Sequence, residues 1–128
     1  MGRSIAFSKL HGVGNDFIIM DASAVGDMDI TRLSSEVCDR HFGIGADGLM
    51  LVAKSEYAEV KMIYFNSDGS RAEICGNGIR CFAKYVFDKQ IVPKKIFVIE
   101  TLAGIIETEI EPINNKEAFV KADIGTWD

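Results

Sequence analysis

A helix that is apolar on nearly every side can exist only inside something else, and Gly76 to Lys89 reads as such a helix. At 100° per residue, Arg80, Lys84 and Asp88 share a strip about 80° wide. Ile79, Cys81, Phe82, Ala83, Tyr85, Val86 and Phe87 cover roughly 240°. A surface helix needs only about 100° of apolar face. Other elements must therefore wrap this one, and the rest of the chain supplies mainly strands.

Ile5–Leu10 and Phe17–Met20 read as strands separated by the turn or bulge His11-Gly12-Val13-Gly14-Asn15-Asp16. Ile30–Phe42 reads as a helix with Asp29 or Thr31 as N-cap and Gly43 as its stop. Leu49–Ala53 and Val60–Phe65 read as strands, and the turn Asn66-Ser67-Asp68-Gly69-Ser70 brings Ala72–Ile74 back as a hairpin arm. Ile96–Thr101 and Ile105–Glu111 are joined at Ala103-Gly104, with Ile106, Thr108 and Ile110 alternating against Glu107, Glu109 and Glu111. Ala118–Ile124 forms a further strand. The expected fold is α+β: a curved, mostly antiparallel sheet or barrel wrapped around a central buried helix. The length of 128 residues suits one domain.

The balance of charges narrows the partners. Fourteen Lys and Arg face nineteen Asp and Glu, a net charge of −5. A net acidic chain is a poor match for nucleic acid or an anionic membrane, and the densest basic run is only Pro93-Lys94-Lys95. No apolar run approaches the ~20 residues of a membrane span, and Met1–Phe7 lacks the apolar core of an export signal. Cys38, Cys75 and Cys81 are an odd number, which argues against a disulfide framework. They read as reduced thiols of a cytoplasmic protein. Their spacing fits no zinc pattern, and His11 and His41 do not complete one.

The chemistry concentrates at Glu73-Ile74-Cys75-Gly76-Asn77-Gly78, where a strand hands over to the buried helix. The backbone N–H groups of Gly76, Asn77 and Gly78 face out of a helix start and can hold an anion. The same dipole favours a thiolate at Cys75, and the glycines let a ligand approach the backbone. Two reactions fit a thiolate beside an anion cradle. Nucleophilic attack wants an activating His, and neither His can be placed there from sequence. Proton abstraction needs only a held carboxylate and an adjacent Cα–H. The alternative is that Cys75 is a small buried residue at a tight turn. Asn15 and Asn66 can fix an amine or a carboxylate, or serve their own turns. Asp47 in its Gly-rich turn invites a metal or phosphate reading but lacks a second ligand nearby and reads as structural. His11 can line a site or be a satisfied structural histidine. Arg80 reads as a surface or salt-bridge residue, and Cys38 and Cys81 as packing.

Four blocks of this chain resemble the diaminopimelate epimerase family. They are Phe7–Phe17 with its His-Gly-Val-Gly-Asn-Asp core, Arg40–Leu49 with Gly-Ile-Gly-Ala-Asp-Gly, Phe65–Ser70, and Glu73–Cys81 with Cys-Gly-Asn-Gly. The resemblance implies a cofactor-independent, metal-free, two-base epimerase that interconverts LL- and meso-2,6-diaminopimelate in lysine and peptidoglycan precursor synthesis. It implies that Cys75 is one catalytic thiol, that Gly76 and Asn77 hold the reacting carboxylate, and that Asn15 and Asn66 contact substrate. Some members of the family carry Gln where this chain has Gly48. The family has two similar domains with the second catalytic cysteine in the other one, so residues 1–128 read as the first domain alone. On that reading the isolated chain is inactive, and its exposed interdomain face favours a homodimer or self-association. The alternatives are a related racemase or isomerase of the same fold, and a non-catalytic anion-binding or dimerising domain.

Overall fold

In the computed structural model, which describes residues 5–11, 14–73, 76–112 and 118–123, eight strands form one curled, mixed sheet. They are β1 (Phe7–His11), β2 (Asp16–Asp21), β3 (Gly48–Ala53), β4 (Val60–Asn66), β5 (Arg71–Ala72), β6 (Ile96–Thr101), β7 (Gly104–Pro112) and β8 (Ala118–Asp123). The order is β1-β2-β3-β4-β6-β7-β8, with the short β5 pairing back on β4. β2/β3 and β4/β6 are parallel, and the other pairs are antiparallel. Among the described residues the helices are α1 (Ala22–Val25), α2 (Ile30–Cys38) and α3 (Gly76–Asp88).

α3 explains the curl. It packs against β2 near one end of the strand order and against β7 and β8 at the other. A flat sheet cannot present both ends to one helix, so the sheet bends into a half-barrel around it. Gly78, Ile79, Cys81, Phe82, Ala83 and Val86 of α3 are buried, while Arg80 and Asp88 are exposed on the expected polar strip. Phe17, Ile19, Met50, Met62, Phe97, Ile99 and Ile110 point at α3 from the concave face. The convex face is covered over β2 and β3 by α1 and α2, where Ile18, Met20, Leu49 and Leu51 meet Val25, Leu33 and Cys38.

Burial on both faces makes β2 and β3 continuous apolar runs. β7, covered on one face, alternates: Ile106, Thr108 and Ile110 are inside and Glu107 and Glu111 outside. Cys38 is buried as expected, and burial pushes its thiol up to about 11, leaving it un-ionised at neutral pH. Among the described residues, no helix is long and apolar enough to cross a membrane.

The helix expected to reach Phe42 stops at Cys38. Asp39 ends it: its Oδ1 accepts the backbone N–H groups of His41 (2.8 Å) and Phe42 (3.0 Å). Those N–H groups would otherwise donate back into the helix, and accepting them holds the Asp39 carboxyl below its usual range. Asp29, rather than Thr31, caps the start. The chain then folds back, with the N–H groups of Ile44 and Gly45 both donating to the carbonyl of Val37.

This turn delivers Arg40 to Asp16 at the start of β2. Arg40 donates to both Asp16 oxygens, at 3.2 and 2.9 Å, and to Asp47 Oδ1 at 3.2 Å. Lys9 Nζ lies 3.4 Å from Asp16. Asp47 N–H donates to Asp16 Oδ1 at 3.1 Å, and Asp16 N–H donates to Asp47 Oδ2 at 3.0 Å. The two aspartates thus exchange backbone bonds and pin β2, β3 and the loop after α2 together. The Arg40 guanidinium, helped by Lys9 and opposed by burial, holds the Asp16 carboxyl far below the usual carboxylate range.

Two outcomes test this packing. Phe82 is fully buried at the centre of the half-barrel, so Phe82→Ala should cost about 3–5 kcal/mol of unfolding free energy in urea titrations. A cost under about 1 kcal/mol would place Phe82 outside the core. Asp16→Asn should cost about 1–3 kcal/mol at pH 7. A depressed native pKa stabilises above the unfolded value of about 3.9, and that contribution is lost as pH falls through the native value. The gap between wild type and Asp16→Asn should therefore narrow progressively below about pH 4. A gap that stays constant down to pH 2 would contradict the clamp.

Candidate functional site

The clamp stands at one end of the sheet, and the expected site residues gather around it. Phe17 of β2 is in register with Gly48 of β3, and Gly48 with Asn66 of β4. Asn15 and Asp16, Asp47 and Gly48, and Asn66 therefore share this sheet end, with Asn66 two strand spacings, about 10 Å, from β2. α3 begins at the same place. Asn77 Nδ2 donates to Asn15 Oδ1 at 3.0 Å, joining residues 62 positions apart. Asn15 Nδ2 in turn donates to Asp47 Oδ2 at 3.3 Å. An unbroken chain of polar contacts thus runs from Asn77 through Asn15 and Asp47 to Arg40 and Asp16.

A depression of about 390 Å³ opens here, lined by His11, Gly14, Asn15, Asp16, Arg40 and Asp47. Its charges nearly cancel, because Lys9 and Arg40 are matched by Asp16 and Asp47. What it offers is hydrogen-bonding capacity. Gly76, Asn77 and Gly78 open α3, and the first N–H groups of a helix have no partner within it. Anions are favoured at such an end.

Asn66 is engaged in its turn. Its Nδ2 donates to Ser70 Oγ at 3.0 Å, and its carbonyl accepts the Gly69 N–H. Asp68 Oδ1 accepts both Ser70 N–H and Ser70 Oγ–H, which holds the Asp68 carboxyl below its usual range. Gly69 has φ +92°, and a Cβ there would lie 2.7 Å from the Thr31 carbonyl. The glycine lets this turn seat against α2. Gly48 is equally constrained, since an added Cβ would fall 2.6 Å from Tyr64 Cε1. Tyr64 is itself packed edge-on against Phe17. A Gln at this position would require the Tyr64 ring to move.

Of the five residues expected at the site, the structure brings Asn15 and Asn77 into contact, puts Gly76 at the head of α3 and leaves Asn66 on the same sheet end. The reading of Cys75, which directly precedes Gly76 in sequence, falls outside the described residues. His11 is exposed and lines the depression. The reading of His11 as a satisfied structural histidine gives way to its alternative, a residue lining a site: it pairs with Asp16 at the last position of β1, at the end of the sheet, with its side chain exposed. Asp47 is structural, as expected, but also bonds directly to Asn15. The clamp formed by Asp16 and Arg40 was not foreseen. Its signal was present as charged residues flanking the two Gly-rich turns, but the pairing spans 24 positions.

Residues 7–127 match the diaminopimelate epimerase family. The diaminopimelate epimerase of Alkaliphilus metalliredigens is 51% identical over 122 residues, covering 94% of this chain and 43% of that protein. That of Caldanaerobacter subterraneus subsp. tengcongensis is 53% identical over 120 residues, with the same coverage. This chain thus spans less than half the length of these curated relatives. Among solved structures, a PhzF-family phenazine biosynthesis protein of Bacillus anthracis shares the fold at a TM-score of 0.69 and 24% identity, over 92% of this chain and 38% of that one. With the family match running across nearly all of its length, the chain belongs to the diaminopimelate epimerase family.

Proposed function

We propose that this chain supplies one half of the active site of a cofactor-independent epimerase acting at Cα of 2,6-diaminopimelate, converting the LL to the meso form for lysine and peptidoglycan precursor synthesis. The observation that carries this reading is the Asn77–Asn15 hydrogen bond, 3.0 Å long, at the head of α3. It joins two Gly-rich segments, distant in sequence, around a helix start suited to a carboxylate.

The chemistry follows from what a Cα proton needs before it can leave. Its removal pushes negative charge onto the neighbouring carboxylate, so donors already aimed at that group lower the barrier. In this reading the N–H groups of Gly76 and Asn77 supply them. Asn15 and Asn66 hold the substrate's other polar groups. Cys75, one residue before α3, acts as thiolate and takes the proton. Inversion then requires an acid on the opposite face, which the rest of the protein provides as a second thiol. The partner surface in this reading includes Phe42 (95% exposed) and Ile44, on the loop that carries Arg40.

Two outcomes check the reading. The pure 128-residue chain should not epimerise LL-diaminopimelate measurably, because losing a positioned acid costs about 10²–10⁴-fold. Adding the complementary half of a relative should restore turnover, and Cys75→Ala should abolish it. Full epimerisation by the chain alone, or by the Cys75→Ala variant, would overturn the assignment. Separately, the isolated chain should self-associate in sedimentation velocity, and Phe42→Ser should shift it toward monomer. A clean monomer at high concentration would contradict that surface.

A further inference from the structure

An asparagine amide can present either a donor or an acceptor to a ligand. Which end Asn15 presents decides what it recognises. Its neighbours settle this. Asp47 Oδ2 can only accept when ionised, so the amide must turn Nδ2 toward it, as it does at 3.3 Å. Oδ1 then faces α3 and accepts from Asn77 Nδ2 at 3.0 Å. Asp47 is itself fixed, by Arg40 on Oδ1 and by the Asp16 backbone N–H on Oδ2.

Building on the proposed function, we infer that Asp47 is a positioning residue that sets the polarity of the Asn15–Asn77 pair. Asn15 has spent one N–H on Asp47 and an oxygen lone pair on Asn77. The second Nδ2–H is what it offers to a ligand in the depression it lines. Oδ1 keeps a second lone pair, but that end is turned to Asn77, which is not among the described residues lining the depression, whereas Asp47 on the Nδ2 side is. The end that meets a ligand there is the donor, and its partner is an acceptor such as a carboxylate rather than an ammonium. The Arg40–Asp47 pair matters to the site through this orientation.

The test uses the ¹⁵N-labelled chain and the side-chain amide of Asn15. In the wild type, one Nδ2 proton should be protected from solvent exchange by Asp47 and the other should exchange freely. Equal exchange of both would overturn the inference without any variant. Asp47→Asn can present either end of its own amide, so this difference should collapse. The Asn66 amide, held by Ser70 in a separate turn, should keep its shifts and report an intact fold. An Asn15 amide unchanged in a folded Asp47→Asn chain would also overturn it.

Ligand polarity is read by titration. Pimelate carries the two carboxylates without the amines, and cadaverine carries the two amines without the carboxylates. Diaminopimelate and pimelate should move the Asn15 amide resonance, and cadaverine should not. A cadaverine shift as large as that of pimelate would overturn the donor assignment. If no ligand moves Asn15 while its protons still exchange unequally, the substrate reading of Asn15 fails and the positioning by Asp47 stands.

Discussion

The Asp16 carboxylate is the point at which this structure is fastened. It sits almost buried at the mouth of the half-barrel, bridged twice by Arg40, approached by Lys9 and bonded to the backbone of Asp47. A carboxylate so placed loses hydration and must be repaid by close, charge-assisted bonds. The repayment comes from three segments: β1, the loop after α2 and the entry to β3. Because Asp16 directly follows Asn15, ordering the clamp also orders the asparagine that meets α3.

The half-barrel and the site share one cause. α3 is apolar around most of its circumference, so strands from both ends of the sheet must close on it. Burying the body of the helix leaves its first turn, Gly76 to Gly78, at the mouth. Packing thus carries the start of α3 to the place where the polar ends of β2, β3 and β4 already meet. β2 and β3, which lead to this rim, are buried on both faces.

Much of this was legible in the sequence because it depends on local periodicity. The wrapping of α3 follows from the angular spread of Ile79 to Phe87, and the alternation of Ile106, Thr108 and Ile110 places β7 with one face inside. The hairpin between β4 and β5 follows from the Asn66–Ser70 turn. What was not legible depends on pairings across the chain or on side-chain competition with the backbone. The early end of α2 comes from Asp39 capturing two N–H groups, and Asp looks no different in sequence whether it caps or continues. The exposure of His11 and the Asp16–Arg40–Asp47 clamp depend on which turns meet in space. The four motif blocks identified the family, but only the register of β2, β3 and β4 explains why three of them sit together.

The central claim is that the head of α3 and the β2–β4 rim form one wall of a site for an amino-acid carboxylate. The most direct measurement is a crystal structure of this chain, joined by its complementary half, with diaminopimelate bound. The account predicts one substrate carboxylate within hydrogen-bond distance, about 2.7–3.2 Å, of the Gly76 and Asn77 N–H groups, and the Cys75 sulfur facing the adjacent Cα. A substrate whose carboxylates both lie away from the start of α3, or one that turns an ammonium toward it, would contradict the account.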